Sequence, residues 1–346
     1  MAQQPRRPAQ WLVALLTLVA AGLGWLGSDG ARLPRIGSLP ACLGESEPMK
    51  VSSQMPYVRV AVGGATGEFV LDFGADVSSI TPAAFDGPAK PVPVRGTSDH
   101  YADFRFFGPW GTVRLLPAAV AVQGSVRQAG VLGTDFLSRH AYTIDYRGGR
   151  VHRATRAGFC SPAELSGAGF HALSTVGYYS EQPAALTCPA TGGHGTCPNI
   201  PSLPVQIGPI RAIAQLDTGF DDGQTPHSVN INEALLFALR RAGVELVSRP
   251  DLALHLSTCQ AGVSEAVEAY QLSAAQSISF VEEGGGIRRY GADQVTLFVK
   301  RTPAAAAVCG GIGTWAQPAA QLGASFFARG VLVVDPFGAR VWFRDS

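Results

Sequence analysis

The sequence predicts an all-β protein of two related lobes on one chain, behind an N-terminal signal or anchor helix. Three observations predict it. Gly63, Asp72 and Gly74 recur as Gly208, Asp217 and Gly219, all at an offset of 145. Leu132-Gly133, Phe136, Arg139 and Asp145 recur as Leu322-Gly323, Phe326, Arg329 and Asp335, all at an offset of 190. Each Asp ends an apolar run that follows a Gly-containing turn, the pattern of two paired strands. Two matches in the same order mark a duplicated unit. The difference, 190 − 145 = 45, puts about 45 extra residues between the two signatures of the second copy.

Taken in order, the chain opens with Arg6 and Arg7 and then an uncharged run from Trp11 to Gly27. Unbroken apolarity leaves no exposed face for a core helix, so residues 1–27 are expected to be a cleaved signal peptide or an uncleaved signal anchor. Positive charge before the run keeps that end in the cytoplasm in either case. The rest is expected to be exported, to the periplasm or outside the cell, tethered by residues 11–27 if the run is retained. Residues 28–50, rich in Pro, Gly and Ser, read as a linker. Residues 51–158 read as the first lobe, 159–200 as an interlobe connection and 201–346 as the second lobe. Within the first lobe a hairpin is expected around Gly96 to His100. In the second, Asn232 is placed to cap a helix carrying Leu235, Leu236 and Leu239, with Gly243 past its end.

Six cysteines, Cys42, Cys160, Cys188, Cys197, Cys259 and Cys309, form an even set that suits an oxidising compartment. Cys188 and Cys197 flank a Gly-rich loop and are the expected local bridge. Cys42 follows Leu39-Pro40-Ala41, a weak lipoprotein-like box too far from the apolar run, and a disulfide is favoured there. A net charge of +1 gives no reason to expect nucleic acid as partner. No His lies in a metal-binding spacing, and no serine sits in a G-x-S-x-G elbow. Phe69–Asp76, "FVLDFGAD", contains Asp-Phe-Gly, but the Gly-rich loop and catalytic loop of a protein kinase are both absent.

At "LDFGAD" and "LDTGFDD", each followed by an apolar-Gly segment, the chain resembles the aspartic peptidases, of the retropepsin-like and pepsin-like kind, over most of residues 51–346. The resemblance implies two β-barrel lobes related by a pseudo-twofold axis and an activity that hydrolyses peptide bonds. It implies that Asp72 and Asp217 form the catalytic dyad, that Leu132-Gly133 and Leu322-Gly323 support it, and that the hairpin near Gly96, Thr97 and His100 is a flap over the substrate. Gly74 and Gly219 would let the backbone come close, and Thr218 would bond the backbone of the opposite lobe. The partner expected is a peptide or protein substrate, bound by a monomer that needs no metal or organic cofactor.

Two carboxyls about 3 Å apart cannot both ionise cheaply, so such a pair shares one proton and supplies an acid and a base together. Two positions depart from the family pattern. Phe73 stands where the first copy would carry Thr, and Phe220 where a small residue is usual. The two rings are expected to pack against each other across the pseudo-twofold. Asp76, Asp221 and Asp222 read as solvated turn acids, Asp145 and Asp335 as turn formers, and Trp110 as a strand-turn anchor. The alternative to an endopeptidase is a catalytically impaired module of the same fold that binds a peptide or protein partner in its cleft.

Overall fold

In each copy, a strand turns through glycine into a second strand that ends at the aspartate. The first copy pairs Met55–Val62 with Ala65–Leu71 across Gly63 and Gly64, which have φ of 56° and 80°. The second pairs Ser202–Ile207 with Ile210–Asp217 across Gly208 at φ 55°. Positive φ at these turns is what glycine tolerates and a side chain does not. The Asp-bearing strand then pairs in parallel with the apolar-Gly strand. Leu71 is level with Leu132, and Asp217 is level with Gly323. Ser79–Ile80 and His227–Asn232 close the other side of that strand antiparallel, again alike in both copies.

These contacts come from a computed structural model, which describes residues 38–118, 121–123, 125–176, 200–258, 262–309 and 311–345. The chain from Leu39 onward forms one unit. It is all-β and bilobal, with two large sheets and short helices. The expected N-terminal helix at 1–27 lies outside the described residues, as do Cys188, Cys197 and Cys259. Among the described residues no helix is long and apolar enough to cross a membrane.

The lobes meet by strand pairing. Hairpin Ala141–Asp145/Arg150–Ala154 of the first copy joins hairpin Val331–Asp335/Arg340–Arg344 of the second through Tyr142–Asp145 and Val331–Val334. Thr143 is the register partner of Val333, its own counterpart at offset 190, so the pseudo-twofold passes between them. Asp145 and Asp335 turn these hairpins as expected, accepting from Gly148 N–H, and from Phe337 and Gly338 N–H.

The domain boundaries read from composition need correcting at three places. Glu45–Ser52, in which residues 45–50 read as linker, is a strand paired with both Met55–Val62 and Arg150–Ala154. The segment read as interlobe connection contains helix Pro162–Gly167 and strand His171–Leu173, which pairs with Arg340–Arg344. Disulfide Cys42–Cys160 joins these two margins. Pro, Gly and Ser suggested loops, but backbone pairing holds these strands although few of their side chains are buried. The third correction is the first-lobe hairpin, which consists of His100–Arg105 and Pro109–Arg114 and turns at Phe106–Gly108 rather than at Gly96–His100.

Helix Glu233–Arg241 is capped as expected, with the Asn232 side chain accepting from Leu235 N–H at 2.9 Å and Leu235, Leu236 and Leu239 buried. It belongs to the extra segment of the second copy, which also contributes Leu254–Ser257 and Ser264–Leu272, two paired strands.

Candidate active site

Asp72 follows strand Ala65–Leu71 directly, and its N–H is held by the Leu132 carbonyl at 3.0 Å. Asp217 ends strand Ile210–Asp217. Each carboxylate accepts from the glycine two residues on: Gly74 N–H to Asp72 Oδ1 at 2.7 Å, and Gly219 N–H to Asp217 Oδ1 at 3.2 Å. The aspartates stand against each other's turn. A Cβ on Gly74 would lie 2.5 Å from Asp217 Cγ, and one on Gly219 would strike the Asp72 carboxyl. Only glycine permits that approach. The two carboxyls therefore face each other closely enough to interact.

Thr218 is fully buried and reaches across the lobes. Its hydroxyl donates to the Leu71 carbonyl at 2.6 Å and accepts from Phe73 N–H at 3.0 Å. Phe73 carries no hydroxyl to return this bond, so the grip is one-sided. Behind the turns the two copies match again. Thr134 N–H donates to the Ala75 carbonyl, and Ala324 N–H to the Phe220 carbonyl, both at 2.8 Å. Leu132 and Leu322 are buried, and Gly133 and Gly323 lie close against the backbone of the two aspartate loops.

The expected stacking of Phe73 on Phe220 does not occur. Phe73 is 1% exposed and belongs to the main core. Phe220 lies in a separate cluster with Leu252, Val267, Ala269 and Phe298, its ring edge-on to Phe298 at 5.9 Å. Leu252, Val267 and Ala269 come from the extra segment of the second copy, and Phe298 from strand Val295–Lys300, the counterpart of Leu116–Pro117 in the first. The extra segment and this strand supply the room its bulk needs and draw the ring away from Phe73.

Burial pushes both dyad carboxyls above the usual carboxylate range. Beyond burial, the Asp72 charge pushes Asp217 up, while Lys300 pulls Asp217 down. Tyr57, fully buried beside Asp72, is pushed well above its ordinary range by burial and by that charge. Asp221, expected to be solvated, is buried and pushed up to about 6, chiefly by loss of water. It accepts from Gly223 N–H at 2.8 Å. Asp222 is half-buried and accepts from Ser228 Oγ at 2.6 Å, and Asp76 is exposed as expected.

Gly96 and Thr97 form an exposed turn, with Thr97 N–H donating to the Val94 carbonyl, and His100 begins the next strand with its ring held by Asp99 at 2.8 Å. No hydrogen bond among the described residues joins them to the dyad. Trp110 anchors its hairpin, donating to the Phe106 carbonyl at 2.7 Å and packing on Phe136. Residues that the sequence reading passed over are Tyr57, Gln215, Gln321, Asn230 and Lys300. A glutamine just before each second-copy signature, in "AQLD" and "AQLG", was the available signal.

No family model matches this chain, and no curated protein matches it. Among solved structures the chain is similar to basic 7S globulin from soybean, at 11% identity and a TM-score of 0.41, over 87% of this chain and 94% of that one.

Proposed function

We propose that this protein is an exported aspartic endopeptidase that uses Asp72 and Asp217 as its dyad. The observation that carries the reading is the pair of facing carboxyls, each seated against the other copy's glycine. Burial and proximity favour one proton held between them. The ionised member takes a proton from a water between the carboxyls, and that oxygen attacks the peptide carbonyl. The protonated member donates to the carbonyl oxygen as charge develops there, giving a gem-diol. A proton then passes to the amide nitrogen, the C–N bond breaks, and the dyad returns with its single proton. Thr218 keeps both turns in register through bonds to Leu71 and Phe73. The disulfide between Cys42 and Cys160 suits an exported chain.

The one-sided grip favours a second reading, a peptide-binding module in which Phe73 has disabled turnover. Incubation with a mixture of denatured proteins from about pH 3 to 8, a range that covers shifted carboxyls, separates the two. Wild type is expected to release new peptide termini. If wild type releases none while Phe73→Thr does, the binding module is correct.

A further inference from the structure

The sheet face that bears Asp217 is polar where its counterpart in the first copy is apolar. Gln215 lies two residues before Asp217 on the same strand, so both point to one face. Register carries that face across the sheet: Gln215 is level with Gln321, Gln321 with Asn230, and Asn232, two residues on, with Lys300. Asn230 Nδ2 donates to Gln321 Oε1 at 3.4 Å, and Gln321 Nε2 donates to Gln215 Oε1 at 3.2 Å. All three amides are at least 94% buried. At offsets of 145 and 190, Gln215 and Gln321 correspond to Val70 and Val131, which pack in an apolar cluster with Tyr57.

The amides are aligned head to tail. The chain ends in a donor, Gln215 Nε2, on the side of Asp217, and in an acceptor, Asn230 Oδ1, which has no partner among the described residues. Aligned dipoles in a dry interior reinforce one another. Lys300, half-buried at the acceptor side of the face, makes no hydrogen bond or ion pair among the described residues. Neighbouring Arg301 is committed to Glu233 and Glu268, and its N–H to Glu265. The other charges near the dyad are acidic: Asp221 and Asp222 on the loop after Asp217, and Asp76 on the loop after Asp72, with Tyr57 beside Asp72.

We propose that the chain Gln215–Gln321–Asn230 and the Lys300 cation form a positioning network that stabilises negative charge on the Asp217 side of the pair. The network holds down the pH at which the dyad first ionises and biases an otherwise duplicated site. The electrostatic pull of Lys300 on Asp217 agrees in direction. This inference rests on the proposed dyad, but its test does not require turnover.

Carboxyl protonation is read directly by infrared or carbon NMR titration of protein labelled in its Asp carboxyls, using the full exported chain. Lys300→Met is expected to move the lower dyad midpoint upward by roughly 0.5–1 pH unit, as for one unit charge about 10 Å away in a protein interior. Lys300→Arg should restore it. Gln215→Val with Gln321→Val, which installs the first copy's own residues, should move it the same way. Lys300→Gln serves if the Met variant fails to fold. A midpoint unchanged in folded Lys300→Met or Lys300→Gln overturns the inference, even where wild type cleaves protein. An upward shift in the Lys300 variants, where wild type cleaves nothing, keeps the network and removes the enzyme.

Discussion

Thr218 bonds the opposite lobe twice beside the dyad, and its loss is the sharpest single-residue test of that contact. Thr218→Val keeps the shape but leaves the Leu71 carbonyl and Phe73 N–H without their buried partner. An unpaired buried group costs about 1–3 kcal/mol, so the urea midpoint should fall accordingly, and activity should fall with it. Phe73 acts through packing. Its full burial in the main core means that Phe73→Ala opens a cavity, expected to cost about 3–5 kcal/mol. Asp72, Asp217, their glycines and Thr218 were all legible in the sequence, because each sits at a fixed spacing from a repeated signature. Where a ring points was not legible. Phe73 and Phe220 flank equivalent aspartates, yet their directions depend on what lies opposite, and residues 30 to 80 positions away provide that.

At the scale of elements, the extra segment of the second copy together with strand Val295–Lys300 is the pocket for Phe220. Double-mutant cycles check this. Phe220→Ala and Phe298→Ala should couple by about 0.5–3 kcal/mol, as residues in contact do, whereas Phe220→Ala and Phe73→Ala should add simply. A coupling between the two phenylalanines of the site would contradict the separate cores. The hairpin expected at Gly96–His100 was displaced because alternation marks its strands, while Phe106 and Phe107 continue that apolar pattern through the turn and hide it. Residues 45–50 read as linker because only Met49 among them is buried. A strand with so little burial carries almost no periodic signal.

Across the whole molecule, pH acts on two buried groups in opposite directions. Asp221 rises from 3.8 to about 6 on folding, so the native state holds its proton longer than the unfolded chain. Its contribution is fully present below about 3.8 and is lost as pH climbs through 6. His227, stacked on Phe326 and edge-on to Tyr290, falls from 6.5 to about 4 through burial. Its contribution is present above 6.5 and is lost as pH falls through 4. His227→Phe removes the second effect and leaves the first. Its melting temperature is therefore expected to fall more steeply than that of wild type between about pH 4 and 6, checked by calorimetry across that range. The dyad carboxyls, also raised by burial, add to the loss with rising pH. The duplication was legible in the sequence at this scale, but the pairing that joins the lobes was not. Thr143 meets Val333 across nearly two hundred residues, and no local pattern announces a partner at that distance.

Proteolysis by the two single Asp→Asn variants tests the shared-proton dyad most directly. Asn keeps the size and hydrogen-bonding shape of each carboxyl but cannot exchange a proton with its neighbour. Wild type, Asp72→Asn and Asp217→Asn, each confirmed folded, are incubated with denatured protein at the pH of greatest activity, and new termini are counted by mass spectrometry. Wild type is expected to cleave, and each variant to lose at least about 1000-fold, the scale on which removal of one member of a joint acid–base unit is felt. Cleavage that survives in either variant at close to the wild-type rate would contradict the shared-proton dyad.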